Sequence, residues 1–211
     1  GVTIGTFADD WVRERLEAAA RTARIAQPAP RAPLREMIRM AEQAFLCLGA
    51  GEAATGICDL LSAAMVADGL TPDAARARCW MVDSKGLVVA NRTDLAEHKK
   101  AYAHPHAPVA DFLGAVKALK PTAIIGVGAT PGLFNQAVVE EMTRLNERPI
   151  LFALSNPTSK SECTAAQAYE WSGGKALFAS GSPFLPVDFG GQHFVPRQGN
   201  NSYIFPGVEL G

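Results

Sequence analysis

The fold is decided by residues 44–54, which read AFLCLGAGEAA. The five apolar residues at its start predict a buried strand, and residues 52–68 carry apolar side chains at helical spacing. A strand, a turn with two glycines and a helix, in that order, are typical of a turn that binds a dinucleotide. The alternative is an ordinary glycine-rich connection between a strand and a helix.

The residues of this turn have separate predicted roles. Gly49 permits the tight bend, Gly51 lets the backbone approach a pyrophosphate, and Ala54 is small enough for the helix to pack closely on the strand. The N–H groups of the first helical turn and the positive end of the helix dipole would face the phosphates. We therefore predict cofactor contacts at Gly49, Ala50, Gly51, Glu52, Ala53 and Ala54.

Composition indicates a globular protein and excludes some partners. The 211 residues are 48% hydrophobic and 19% charged, which suffices for a large core. The net charge of −1 argues against broad electrostatic binding to nucleic acid or to an anionic membrane. No apolar run has transmembrane length and no secretory signal is visible, so we expect a cytoplasmic location. We predict buried thiols in a reducing compartment, not zinc ligands, for Cys47, Cys58, Cys79 and Cys163.

The chain divides into two parts. Residues 1–43 predict a helical N-terminal appendage with a proline-rich break at 27–33, which is either a lid or an oligomerisation arm. In residues 44–211, nearly continuous apolar runs alternate with helical patterns. This alternation predicts an α/β fold, a doubly wound, Rossmann-type, mostly parallel sheet with helices on both faces. Ligands of such sheets lie beyond the carboxyl ends of the strands, so the turns after the strands are the expected site.

The second predicted strand ends in Asp83, Ser84 and Lys85. A carboxylate at this point would accept hydrogen bonds from the adenosine ribose. The interval from the glycine turn exceeds the usual one because a helix beginning near Thr71 is inserted. A hydroxyl and an ammonium beside the ribose suit a 2′-phosphate better than a bare hydroxyl. The alternative is a solvated turn.

Later turns offer further candidates. Gly128 and Ala129 follow the predicted strand 123–127 and are further predicted cofactor contacts. Asn156, in the SNPT turn, follows strand 150–154, where its amide could meet a nicotinamide ring or a small substrate. The loop 198–202 could bind a carboxylate through Asn200 and Asn201. Plain turn chemistry is the alternative for both loops.

Six segments carry a family resemblance. They are FLCLGAGEAATG (45–56), WMVDSKG (80–86), LKPTAIIGV (119–127), NERPILFALSNPTSKSEC (146–163), LFASGSP (177–183) and QGNNSYIFPG (198–207). In order and spacing the chain resembles the cofactor-binding domain of malic enzyme, in the large, eukaryote-like branch, over residues 43–211. The combination is far more specific than a single glycine motif.

The resemblance implies oxidative decarboxylation of L-malate to pyruvate and carbon dioxide, with NADP or NAD as hydride acceptor and Mg or Mn assisting. It implies that the glycine turn holds the pyrophosphate and that Asp83 holds ribose. Asn156, Asn200 and the neighbouring Asn201 would contact malate or the nicotinamide side. Ser84, Lys85 and Lys100 match NADP-preferring members, so the expected cofactor is NADP, with NAD second.

The family's general base, general acid and metal-binding carboxylates lie in an earlier domain, which residues 1–43 do not resemble. We therefore expect no catalytic or metal-ligating residue in this chain, and NADP binding without malate turnover. A homo-oligomer is expected. The alternative is a stand-alone dinucleotide-binding or regulatory module that recruits a partner chain through residues 1–43. A different dehydrogenase would need a Ser-Tyr-Lys or His-Asp arrangement, and the sequence points to none.

Overall fold

A computed structural model of the chain describes residues 40–199. Its main feature is a seven-stranded sheet. The strands are β1 (Phe45–Leu48), β2 (Cys79–Asp83), β3 (Gly86–Leu87), β4 (Ala123–Gly126), β5 (Ile150–Ala153), β6 (Leu177–Ser180) and β9 (Arg197–Gln198). They lie in the order β3-β2-β1-β4-β5-β6-β9, and all neighbouring strands are parallel except β2 and β3.

Helices connect these strands. They are α1 (Glu52–Ala67), α2 (Pro72–Arg76), α3 (Glu97–Lys100), α4 (Phe112–Leu119), α5 (Gln136–Leu145) and α6 (Ala165–Trp171). Short 3-10 helices span Met40–Glu42 and Thr158–Lys160, and β7 (Val187–Phe189) pairs with β8 (Gln192–Phe194) in a separate hairpin. Within the described range, no helix combines the length and hydropathy needed to cross a bilayer.

Two hydrophobic clusters cover opposite faces of the sheet. Along β1, Leu46 and Leu48 belong to the cluster with buried residues of α4, α5 and α6. Phe45 and Cys47 belong to the cluster with buried residues of α1 and α2. Because successive strand residues point to opposite faces, a continuous apolar strand supplies both clusters. The predicted doubly wound α/β fold is confirmed.

The winding direction changes next to β1. The chain passes from β1 to β2 on one side, and β4 then pairs with β1 on the other side. Such a switch point opens a crevice between the turns after the two strands, and ligands of open α/β sheets bind there.

Most predicted elements are observed with ends shifted by one residue. Thr164 and Gln167 predict a capping box for α6, and it is formed, with the Thr164 hydroxyl accepting from the Gln167 N–H. Residues 187–195, with glycines at 190–191, predict a hairpin, and β7 and β8 form it. All four cysteines are buried. Of the predicted appendage, the structure describes only residues 40–43, where the buried Met40 packs in the cluster of α1. Residues 202–205, which read SYIF and predict a last short strand, lie outside the described residues.

Candidate functional site

The turn after β1 is shaped by close backbone contact. Gly49 has φ of +118°, a conformation that side chains rarely tolerate, and its N–H donates to the Val82 carbonyl at 2.8 Å. A Cβ on Gly49 would lie 3.0 Å from the backbone nitrogen of Gly128. The turns after β1 and β4 therefore touch through their backbones, as a switch-point crevice requires.

At Gly51 the missing side chain leaves open space and does not relieve backbone strain. It is the N-cap of α1 with φ of −89°, so its backbone is unstrained, and a Cβ added here would have no atom within 4 Å. No side chain caps this end of α1 in the described chain. Ala54, one turn later, is fully buried. Open space before an uncapped helix N-terminus fits a diphosphate, which would accept hydrogen bonds from the first-turn N–H groups.

At the rim of this turn, His98 contacts both Glu52 and Ala50. The Nδ1 atom of His98 lies 3.6 Å from a carboxylate oxygen of Glu52, whose side chain is largely exposed. The Nε2 atom of the same ring lies 3.2 Å from the Ala50 carbonyl. These contacts join α3 to the start of α1, so the two segments that flank the crevice on this side are held together.

The turn after β4 is fastened to the end of β5. Ala129 has a positive φ of +51°, and its N–H donates to the Ser155 hydroxyl at 2.9 Å. Gly128 and Ala129 are exposed, and Gly128 lies beside Gly49. The predicted cofactor contacts of both residues stay predictions.

Sequence reasoning missed Glu162, which lies beneath these turns. The residue is fully buried, and its carboxyl group contacts the Ser155 hydroxyl and, at 3.4 Å, the Ser155 N–H. It also packs against Gly126, where a Cβ would lie 2.2 Å from the Glu162 Cδ. Burial raises the pKa of Glu162, although the Ser155 hydrogen bond opposes that change. The signal for this buried contact in the sequence was Gly126, a glycine at the end of an apolar strand.

Glu162→Gln is expected to alter the pH dependence of stability. Because folding raises the pKa of Glu162, the native state keeps this proton longer than the unfolded chain, and the free energy of unfolding falls as pH rises above the ordinary carboxyl pKa of about 4.3. Glutamine cannot ionise, so the variant should gain stability relative to wild type as the pH rises above about 4.3. Urea unfolding at several pH values measures this difference. The exposed Glu170→Gln is the control, and parallel pH curves for wild type and Glu162→Gln would contradict the prediction.

Asn156 is exposed at the end of β5, yet its side chain is anchored. Its Oδ1 accepts a hydrogen bond from the Ser182 hydroxyl at 2.6 Å. Strand β9 reaches the same corner, where the Gln198 side chain donates to the Gly181 carbonyl at 3.0 Å. Asn200 and Asn201, which follow β9 in the sequence, lie outside the described residues. The geometry leaves the amide nitrogen of Asn156 as the group available to a ligand.

Asp83 ends β2 and is held by two cations. Its Oδ1 lies 2.8 Å from Nη1 of Arg92, and its Oδ2 lies 2.9 Å from Nζ of Lys99. Burial alone would raise the pKa of Asp83, but hydrogen bonds from Arg92, Lys99 and the Lys85 N–H outweigh it and lower the pKa to about 2. Asp83 is therefore ionised at neutral pH and already accepts several hydrogen bonds. Its predicted contact with ribose stays a prediction.

Further charges surround Asp83. Ser84 and Lys85 are exposed, and the Lys85 ammonium lies 2.9 Å from Asp94. Lys100, the lysine predicted from the sequence, pairs with Glu97 at 2.5 Å and lines an open cavity of about 520 Å³ together with Arg92. Lys99, which the prediction omitted, is the lysine that contacts Asp83.

Among residues 40–199, no three His, Cys, Asp or Glu side chains are grouped so that they could hold a metal ion. The described residues place an uncapped helix N-terminus at α1, a cluster of charged side chains at the end of β2 and an amide at the end of β5. These three groups lie at the carboxyl ends of parallel strands, along one edge of the sheet.

Comparison with known proteins also indicates a dinucleotide-binding domain. A family model described as "Malic enzyme, NAD binding domain" matches residues 23–211. NADP-dependent malic enzyme 1 of Arabidopsis thaliana is 53% identical over 174 residues, which are 82% of this chain and 30% of that protein. The chloroplastic NADP-dependent malic enzyme of Flaveria trinervia is 53% identical over 82% of this chain and 27% of its own length. The NADP-dependent malic enzyme of Vitis vinifera is 52% identical over 82% of this chain and 29% of its own length.

The chain thus spans less than a third of the length of these curated relatives. Since one of them is chloroplastic by name, a cytoplasmic location for this chain stays a prediction. Three observations indicate a dinucleotide-binding domain: the parallel sheet, the glycine turn at its switch point and the matched family model. The chain belongs to the family of malic enzyme NAD-binding domains, and its cofactor is NADP or NAD.

Proposed function

We propose that this chain binds NADP and orients it for the oxidative decarboxylation of L-malate to pyruvate and carbon dioxide. The observation that carries the proposal is the open, uncapped N-terminus of α1 at Gly51, beside the backbone contact between Gly49 and Gly128. A diphosphate fits there because it supplies the acceptors that the first helical turn lacks.

Further contacts follow from the order of the strands. The adenosine ribose would lie at the end of β2, near Asp83, and the nicotinamide at the end of β5, near Asn156. The side chains of Lys85, Arg92 and Lys99 cluster at the ribose position and favour a 2′-phosphate there. The names of the relatives, which are NADP-dependent enzymes, also support NADP.

Catalytic acid and base groups and a divalent cation are, in this proposal, supplied by parts of the enzyme outside residues 40–199. The nicotinamide cofactor itself supplies the hydride chemistry, while this domain provides binding and orientation. The direct test is isothermal titration of the chain with NADP and with NAD, together with a malate turnover assay. Binding of NADP without turnover is expected. Failure of either dinucleotide to bind at millimolar concentration would overturn the proposal, and robust malate turnover would overturn the assignment of the catalytic groups to other parts of the enzyme.

Cofactor choice can be tested with two adjacent lysines. Lys99→Ala should weaken NADP binding by about tenfold and NAD binding far less, because removing a cation that contacts Asp83 lowers the positive charge available to a 2′-phosphate. Lys100→Ala is the matched control, because the Lys100 ammonium pairs with Glu97 and not with Asp83. The same variant tests the lysine that was predicted from the sequence. Titration calorimetry of both variants with both cofactors measures the difference. Equal weakening of NADP and NAD by Lys99→Ala would refute a 2′-phosphate contact.

A further inference from the structure

The carboxylate of Asp94 occupies a three-donor pocket beside the ribose position. Its Oδ1 accepts from Nε of Arg92 at 3.0 Å, and its Oδ2 accepts from Nη2 of Arg92 at 2.9 Å. The ammonium of Lys85 lies 2.9 Å from the same Oδ2. Two parallel donors of a guanidinium and one ammonium make a site for either a carboxylate or a phosphate.

Arg92 is held in place without Asp94. The Nη1–Nη2 edge of its guanidinium, which shares Nη2 with the edge that faces Asp94, binds both oxygens of Asp83, at 2.8 Å and 3.1 Å. Only 14% of the Arg92 side chain is exposed, whereas 34% of Asp94 and 67% of Lys85 are exposed. The buried arginine is thus a fixed element, and Asp94 covers its Nε side from the solvent.

Charge balance makes Asp94 a competitor for an incoming anion. Lys85, Arg92 and Lys99 face the two carboxylates of Asp83 and Asp94, which leaves a net charge of +1. Without Asp94 the net charge would be +2, which matches the charge of about −1.5 to −2 on a phosphate monoester at pH 7. Any phosphate that enters must displace Asp94 or bind beside a like charge.

We propose that Asp94 is a cofactor-specificity residue, an internal anion that occupies the subsite for the 2′-phosphate and weakens NADP binding relative to NAD. This inference rests on the proposed dinucleotide-binding function. Asp94 and the adjoining wall of the cavity lined by Ala90, Arg92 and Thr93 belong to one loop between β3 and α3.

The test is Asp94→Asn in the full chain, titrated with 2′,5′-ADP and 5′-AMP and then with NADP and NAD. Removal of the competing charge should strengthen binding of 2′,5′-ADP and NADP by about tenfold and change binding of 5′-AMP and NAD by less than about twofold. The gain should shrink in high salt because exposed charges are screened. Glu97→Gln is the matched control, since it removes one negative charge that contacts Lys100 and none of the donors around Asp94.

The outcomes separate this inference from the proposed function. Unchanged or weaker NADP binding by Asp94→Asn, with NAD bound normally, would overturn the inference alone. An equal gain from Glu97→Gln would also overturn it, because the effect would then follow net charge and not the subsite. Absence of any dinucleotide binding to the wild-type chain would overturn both. Thermal unfolding of each variant verifies that the fold is retained.

Discussion

Replacement of Gly51 by serine is expected to weaken dinucleotide binding by at least about tenfold while the free energy of unfolding rises by a few tenths of a kcal/mol. Serine is a better N-cap than glycine, and the structure has room for it, since a Cβ at Gly51 meets no protein atom within 4 Å. That empty space is where the diphosphate has to approach the backbone. The side chain therefore benefits the helix and obstructs the ligand. Calorimetric titration and urea unfolding measure the two effects.

The opposite end of the same helix provides the control. Gly69 follows the C-cap of α1 with φ of +102° and has open space around it. Gly69→Ser should lower the free energy of unfolding by about 1 kcal/mol, because a side chain strains this backbone conformation. It should leave dinucleotide affinity unchanged. A loss of affinity in Gly69→Ser similar to that in Gly51→Ser would mean that stability, not obstruction, explains the result.

The parts of the site that depend on local sequence could be predicted. The bend at Gly49 follows from a glycine between a continuous apolar strand and a helical pattern. The cap at Thr164 follows from a threonine placed three residues before a glutamine. Each is decided by residues that are neighbours along the chain, so no knowledge of the tertiary packing was needed.

The charge cluster could not be predicted in the same way. Adjacent helical residues differ by about 100° in direction, so Lys99 and Lys100 cannot both reach Asp83. Which of them does is set by how α3 packs beside the start of α1, through contacts such as that between His98 and Ala50. The edge strand β3 has only two residues, too few for a periodic pattern, and Arg92 reaches Asp83 only because β3 turns the chain back along β2.

Glu162 shows a second limit of sequence reasoning. An isolated glutamate in a polar loop is normally a surface residue, and here it is fully buried. Its burial depends on Gly126, 36 positions earlier, whose missing side chain leaves the volume that the carboxyl group fills. Gly126 ends β4, Glu162 lies in the loop before α6, and only the tertiary fold brings them together. Gly126 thus leaves the space in which Glu162 packs, although in the sequence alone it resembles an ordinary turn residue.

Gly126→Ala is accordingly expected to destabilise the chain by about 3 kcal/mol, near the upper end of what overpacking costs in a dense core. The new Cβ would lie 2.2 Å from Cδ and 2.4 Å from Cγ of Glu162. Neither side can yield easily, because Gly126 pairs with both neighbouring strands and the Glu162 carboxyl group contacts Ser155. Urea unfolding measures the loss. The control is Gly114→Ala, where the nearest atom is a side-chain methyl of Val109 and the expected change stays within about 1 kcal/mol.

A double-mutant cycle decides whether this contact is the cause. Glu162→Ala alone should also destabilise the chain, since it leaves a cavity and removes the hydrogen-bond partner of Ser155. With the glutamate gone, the added methyl of Gly126→Ala meets free volume, so the double variant should be more stable than the sum of the two losses predicts, by about 1 to 3 kcal/mol. Strictly additive losses would show that Gly126→Ala acts through the strand backbone. Because Ser155 also accepts from the Ala129 N–H, the cycle, repeated with NADP bound, measures how far this buried contact sets the shape of the cofactor crevice.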